Sequence, residues 1–158
     1  MAPLITRWLG AAALLAVGLD HLAERSTAHY AAIPTIGTLF LLNFVSAAVV
    51  AVGLALPLQR LGGPAGRWLP PLLALGGIGI AAGSAAGLLI SETGGLFGFS
   101  EDGYRSAVVL SLVLEGAAVL LLATHLALAA APGASSGSNV ADPSLDAASR
   151  QAGSEARQ

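Results

Sequence analysis

Four long apolar segments, separated by short polar linkers, dominate the hydrophobic pattern of this chain. They cover residues 5–23, 31–58, 68–90 and 106–131. A helix of about 20 apolar residues crosses a hydrocarbon core about 30 Å thick, so each segment is long enough to span a bilayer. Backbone polar groups in lipid must be paired within the spanning structure, and the segments lack the alternation of barrel strands. The pattern therefore predicts an all-α fold, a transmembrane four-helix bundle whose short linkers make neighbouring helices antiparallel.

The residues that follow the last apolar segment have a different composition. Residues 132–158 are rich in Ser, Ala, Gly, Asp and Arg and contain no aromatic residue. Such a segment buries too little apolar surface to offset the entropy of ordering. We therefore expect a helical domain over residues 1–131 and a disordered C-terminal tail over residues 132–158.

Composition agrees with a membrane location and excludes several classes of function. Hydrophobic residues make up 55% of the chain and charged residues 10%, whereas soluble domains carry roughly 25% charged residues. The net charge of −2 gives no indication of nucleic-acid binding, and the absence of cysteine excludes disulfides and thiolate metal sites. We expect the lipid bilayer to be the principal partner, with a homo-oligomer or a larger membrane complex left open.

The placement of arginine predicts the orientation. Arg7, Arg60 and Arg67 flank the segments on one side, whereas Arg25 and Arg105 lie on the other. Short loops with more arginine stay in the cytoplasm. We therefore expect a multi-pass protein of the cell membrane with both termini, and the tail, in the cytoplasm.

Glycine recurs at every fourth position in the third segment, at Gly79, Gly83 and Gly87. Residues at this spacing share one helix face, and small residues there allow two helix backbones to approach closely. We expect the third helix to pack tightly inside its own bundle through this face. A homodimer interface is the alternative.

Glu115 is the one acidic residue within the fourth apolar segment, and it lies near the middle of that segment. At about 1.5 Å per residue it is roughly 16 Å below Tyr104, and Asn43 of the second segment reaches a similar depth. A carboxyl group at this depth is costly unless it has a partner or a function, and the apolar setting favours its protonated form. We expect a polar clasp in which Asn43 donates a hydrogen bond to Glu115. A proton or cation site and a contact with a partner membrane subunit are the alternatives.

Polar residues cluster at the outer end of the first segment: Asp20, His21, Glu24, Arg25 and His29. Helical spacing of i and i+4 brings such side chains to one side of a helix end. We expect an interfacial cap of hydrogen bonds and ion pairs in which Arg25 offsets Glu24. A Zn²⁺ or Cu²⁺ site is the alternative, because imidazole and carboxylate groups bind both ions, but the spacing matches no defined metal motif.

A third histidine, His125, lies near the cytoplasmic end of the fourth segment. It is ten residues from Glu115, or about 15 Å along a helix axis, so the two side chains cannot touch. We expect His125 to be neutral and hydrogen-bonded near the helix end.

Several short stretches carry a resemblance to known sequences: His21 with His29-Tyr30, residues 34–43, and residues 95–101. Through them the chain resembles a group of small, uncharacterised four-helix integral membrane proteins of high-GC bacteria, over about residues 7–131. The resemblance implies a four-helix fold. It implies no activity, because none is known for that group.

The chemistry-bearing residues suggest three kinds of function. No catalytic constellation or cofactor fingerprint is recognisable, so we expect a non-enzymatic accessory or scaffold component of the membrane that needs no cofactor. One alternative is a small transporter or proton-coupled component that uses Glu115 and Asn43. A second alternative is a metal-binding or redox component that uses His21 and His29.

Overall fold

The computed structural model describes residues 1–98 and 105–131. Within these ranges the chain forms four long helices joined in part by two short 3₁₀ turns. The helices are α1 (Ala2–Thr27), α2 (Pro34–Ala55), α3 (Gly63–Thr93) and α4 (Ser106–Ala130), and the turns are Tyr30–Ala32 and Leu58–Leu61. The predicted disordered tail, residues 132–158, lies outside the described residues.

The predicted all-α class is confirmed, and each of the helices in the described ranges is long and apolar enough to cross a membrane. Their helix ends differ from the predicted bounds by a few residues. Helix α2 begins at Pro34, because proline lacks a backbone N–H and therefore suits the first turn of a helix. Helix α1 continues to Thr27, where the hydroxyl groups of Ser26 and Thr27 each donate to a carbonyl oxygen one turn earlier. His21 consequently lies about 9 Å inside the end of α1, at 1.5 Å per residue.

The helices form a square bundle in which each one packs against its neighbours in sequence. Helix α1 also packs against α4, which closes the square, whereas α1 and α3 touch only briefly across the diagonal. The contact between α2 and α3 is the thinnest of the four sides. Leu14, Leu54 and Leu122 are buried in the core, and many other large apolar side chains face outward. That distribution suits a bundle whose outer surface meets lipid.

Glycine allows the closest approaches between helices. A Cβ atom added at Gly77 would lie 2.7 Å from Leu122 Cδ1, and one added at Gly10 would lie 2.6 Å from Leu122 Cδ2. An added Cβ at Gly18 would lie 3.0 Å from the Cβ of Ala47. An alanine at Gly10 or Gly77 would therefore require the buried Leu122 side chain to move, and one at Gly18 would require a small shift of Ala47.

The predicted packing face of α3 is on the wrong side of the helix. Added Cβ atoms at Gly79 and Gly83 would meet nothing within 4 Å, and one at Gly87 would make an ordinary contact of 3.6 Å with Leu96. Gly77 and Gly79 are two residues apart, which places them about 160° apart around a helix. Since α3 turns Gly77 into the core, the Gly79–Gly83 row points away from it. The homodimer alternative for that row stays a prediction.

Leucine at Gly77 should destabilise the bundle far more than leucine at Gly79. The larger side chain at Gly77 would overlap Leu122 and Leu14, and overpacking of a core typically costs about 1–3 kcal/mol. Leucine at Gly79 enters open space and has the higher helix propensity, so its effect should stay within about 1 kcal/mol. Thermal unfolding of both variants in detergent, followed by circular dichroism, checks this. Equal effects would show that α3 is rotated differently.

Candidate functional site

Three polar side chains from three helices meet inside one half of the bundle. It is the half in which α1 ends and α4 begins, and we call that end of the bundle its outer end. They are His21 of α1, Ser84 of α3 and Glu115 of α4, and Glu115 is 0% exposed. The distance from His21 Nε2 is 2.8 Å to Ser84 Oγ and 3.8 Å to Glu115 Oε1. The imidazole of His21 therefore links the diagonal pair α1 and α3 and lies beside the carboxyl group of α4. We call these three residues the central cluster.

The hydrogen bonds of His21 determine which ring nitrogen carries the proton. Nδ1 lies 2.9 Å from the carbonyl oxygen of Val17, one turn earlier in α1. A carbonyl oxygen only accepts, so Nδ1–H must donate to it. In a neutral imidazole Nε2 is then an acceptor, and the Ser84 hydroxyl donates a hydrogen bond to it.

Glu115 has no hydrogen bond to any described residue from either of its carboxyl oxygens. At 3.8 Å the contact with His21 Nε2 is too long for a hydrogen bond. A lone carboxylate in an apolar interior is far more costly than a neutral carboxyl group, and a buried ion pair without further hydrogen bonds regains little of that cost. The geometry therefore favours a neutral Glu115 beside a neutral His21.

The predicted hydrogen bond from Asn43 to Glu115 is wrong. Asn43 lies on α2 and Glu115 on α4, at opposite corners of the square. The depth estimate put them at one level but carried no information on the order of helices around the bundle. The buried Oδ1 atom of Asn43 has no partner among the described residues.

The outer polar cluster divides into separate interactions. Asp20 accepts a 2.5 Å hydrogen bond from the Ser111 hydroxyl of α4. Glu24 lies 3.6 Å from Arg105, which also donates a 2.7 Å hydrogen bond to the Tyr30 hydroxyl. These contacts join the outer ends of α1 and α4.

Two expectations for this outer end are wrong. Arg25 does not offset Glu24; its Nε donates to the carbonyl oxygen of Gly37, 3.0 Å away, because Glu24 faces α4 and Arg25 faces α2. His29 does not share a helix face with His21 and Arg25, because α1 ends at Thr27. His29 is exposed, and its backbone has a left-handed conformation with φ of 61°. Among the residues that the structure describes, no three His, Asp or Glu side chains are grouped so as to hold a metal ion.

His125 is hydrogen-bonded near the C-terminal end of α4, as the sequence predicts. Its Nδ1 donates to the carbonyl oxygen of Pro3, 2.9 Å away, and so joins that end of α4 to the start of α1. Arg7, one turn along α1, is 7% exposed, and its Nε has no partner among the described residues. In the sequence, Arg7 indicates only orientation, because its position near the start of an apolar segment carries no sign of burial.

A lateral groove of about 360 Å³ opens between α2 and α3. Leucine, isoleucine and phenylalanine side chains form most of its wall, and Leu96 from the segment after α3 adds to it. The polar lining consists of His21, Asn43, Ser46, Ser84 and Ser91. Sequence reasoning missed this groove. Its signal was the pair Gly83 and Gly87, which line the groove and leave room where larger side chains would fill it.

A second, small cavity of about 20 Å³ lies between the central cluster and the outer end of the bundle. Its lining includes His21, Ser111, Glu24 and Arg105, and it has room for one water molecule. His21 lines both cavities, whereas Glu115 lines neither. The imidazole therefore separates Glu115 from both spaces.

No protein-family model, curated protein or solved structure matches this chain.

Proposed function

We propose that this chain is a multi-pass integral membrane protein that serves as a non-enzymatic accessory or scaffold component. The observation that supports this most is the burial of Glu115, which is 0% exposed and lines neither cavity. A carboxyl group that relays protons or binds cations needs access to water or to an ion path. A sealed carboxyl group beside His21 instead suits a structural clasp.

The central cluster suits that role because it lies where three helices meet. Hydrophobic burial does not hold helices together in lipid, so packing and polar contacts between helices must do so. Hydrogen bonds between side chains in membranes contribute about 0.6–2 kcal/mol each. The hydrogen bond from Ser84 to His21 joins α3 to α1, and Glu115 fills the remaining space from α4.

A proton-coupled component is the second candidate, with His21 rather than Asn43 beside Glu115. It is favoured by the 3.8 Å approach of His21 Nε2 to Glu115 Oε1 and by the position of His21 on both cavities. Rotation of the imidazole is the movement that would bring Glu115 into contact with either cavity. The metal-binding alternative has less support, since His29 is exposed and separate from the row that holds His21.

An accessory role also needs a surface for a partner. The outward surface of α3 at Gly76 and Gly79 is open, and a second copy of the chain or another membrane subunit is the partner we propose for it. The resemblance to small four-helix proteins of high-GC bacteria agrees with such a compact role and adds no activity.

The proposed location is the cell membrane with both termini in the cytoplasm, because arginine favours that side. Reporter fusions at Pro64, in the first turn of α3, and after Ala131 should both give a cytoplasmic signal. Fusions at Ala28, in the connection between α1 and α2, should give the opposite signal. An exterior signal at Pro64 or Ala131 contradicts the orientation.

Glu115→Gln should leave the stability of the bundle nearly unchanged, because an amide keeps the shape of a neutral carboxyl group. Glu115→Leu should cost about 1–3 kcal/mol, because a branched side chain must fit the fully buried space that the unbranched carboxyl side chain occupies. Unfolding in detergent measures both effects, and proton flux into liposomes tests for transport with the same proteins.

The flux measurement separates the two candidate functions. A clasp predicts that the parent protein carries no more protons than empty liposomes. Proton flux in the parent that disappears in a stable Glu115→Gln variant would reject the clasp in favour of the proton-coupled component, because an amide cannot titrate.

A further inference from the structure

We propose that the groove between α2 and α3 binds an uncharged, lipid-soluble molecule that carries a hydroxyl group on a long apolar body. This goes beyond the accessory role, because a scaffold needs no ligand. The groove holds about 360 Å³, within the range of about 300–1,000 Å³ typical of small-molecule sites. It opens on the side of the bundle where the helix contacts are thinnest, so a molecule dissolved in the membrane can enter it from the side.

The charge of the lining excludes ionic ligands. In the described part of the chain no Asp, Glu, Arg or Lys lines the groove, and its titratable lining residue is His21. Nε2 of His21 already accepts a hydrogen bond from the Ser84 hydroxyl, and its Nδ1 donates to the carbonyl oxygen of Val17. A carboxylate or phosphate in the groove would therefore lose its hydration without gaining a counter-charge.

The hydroxyl group is indicated by an unsatisfied amide. Oδ1 of Asn43 is buried, lines the groove and lacks a hydrogen-bond partner among the described residues. Ser46, one turn further along α2, also lines the groove and has no hydrogen bond within the described chain. Buried polar groups in native proteins normally find a partner. A ligand hydroxyl can donate to Asn43 Oδ1 and accept from the Ser46 hydroxyl, and it can equally accept from the Asn43 amide if that group is flipped.

The apolar body is indicated by the rest of the wall. Leu39, Phe40, Ile80 and Leu88 face the groove from α2 and α3. An alkyl chain that leaves lipid for this wall exchanges one apolar environment for another, so the chain provides fit and the hydroxyl provides selectivity. The chemistry is shared by simple long-chain alcohols and by diacylglycerols, both of which are uncharged.

The test uses the full chain in nanodiscs of uncharged lipid and a decanol derivative with a photoreactive diazirine next to its hydroxyl end. We expect labelling of α2 and α3 around Asn43, identified by mass spectrometry. Excess 1-decanol should suppress the labelling at least tenfold more effectively than excess decane or decanoate. Suppression by 1,2-dioctanoylglycerol at lower concentration than decanol would identify a diacylglycerol as the source of the hydroxyl, and the reverse order would identify a simple alcohol.

Two variants and one matched control locate the site. Gly83→Leu places a side chain in the groove, and Asn43→Leu removes the hydrogen-bonding group, so each should reduce labelling about tenfold or more. Gly116→Leu introduces the same side chain into open space on α4, outside the groove, and should label like the parent. Circular dichroism and the unfolding temperature establish that each variant is folded.

Several results would overturn the proposal. Equal loss of labelling in Gly116→Leu and Gly83→Leu would mean that the probe only samples the lipid-facing surface. Equal competition by decane would reject hydroxyl recognition, and stronger competition by decanoate would reject the selection of neutral ligands. Labelling that disappears when a second copy of the chain cross-links through α2 or α3 would mean that a protein helix occupies the groove. None of these results depends on Glu115, so this experiment and the test of the Glu115 clasp can succeed or fail separately.

Discussion

The structure depends on the imidazole of His21, which connects backbone and side-chain groups at the place where three helices meet. Its Nδ1 is held by the Val17 carbonyl, its Nε2 by the Ser84 hydroxyl, and Glu115 lies against it at 3.8 Å. Lipid offers no hydrophobic drive for helix association, so such polar contacts, together with close packing, decide how helices are arranged. The same imidazole separates Glu115 from the groove and from the small outer cavity.

Close packing at glycine residues determines how near the helices lie to one another. Gly10 and Gly77 allow α1 and α3 to approach Leu122 of α4 from two sides. Gly18 allows α1 to approach α2 at Ala47. Between α2 and α3 a similarly close contact is made where Leu73 packs against Gly53. Further along this side Gly83 and Gly87 leave space between the two helices. The groove is thus the consequence of small residues placed where no neighbouring side chain compensates.

The sequence predicts the features that depend on the chain's own local pattern. The four apolar spans and the hydrogen-bonded position of His125 near a helix end need only hydropathy and helix rules. The partner of Glu115 could not be predicted, because depth places residues along the membrane normal but does not say which helices are neighbours. His21 was assigned to the outer surface, because the polar residues from Asp20 to Glu24 suggested an early end to a helix that continues to Thr27. The Gly79 row was assigned to the core, since its spacing identifies a face but not the direction in which that face points.

The protonation of His21 tests the central claim most directly. The chain has three histidines, so ¹⁵N-labelled histidine spectra in bilayers can be assigned with His29→Gln and His125→Gln variants. At neutral pH the account predicts a neutral His21 imidazole that carries its proton on Nδ1, because that nitrogen donates to Val17 while Nε2 accepts from Ser84. A charged imidazolium, or a neutral ring protonated at Nε2, would contradict it, because either state would turn Nε2 into a donor towards Glu115 and make the cluster an ionic or proton-sharing pair.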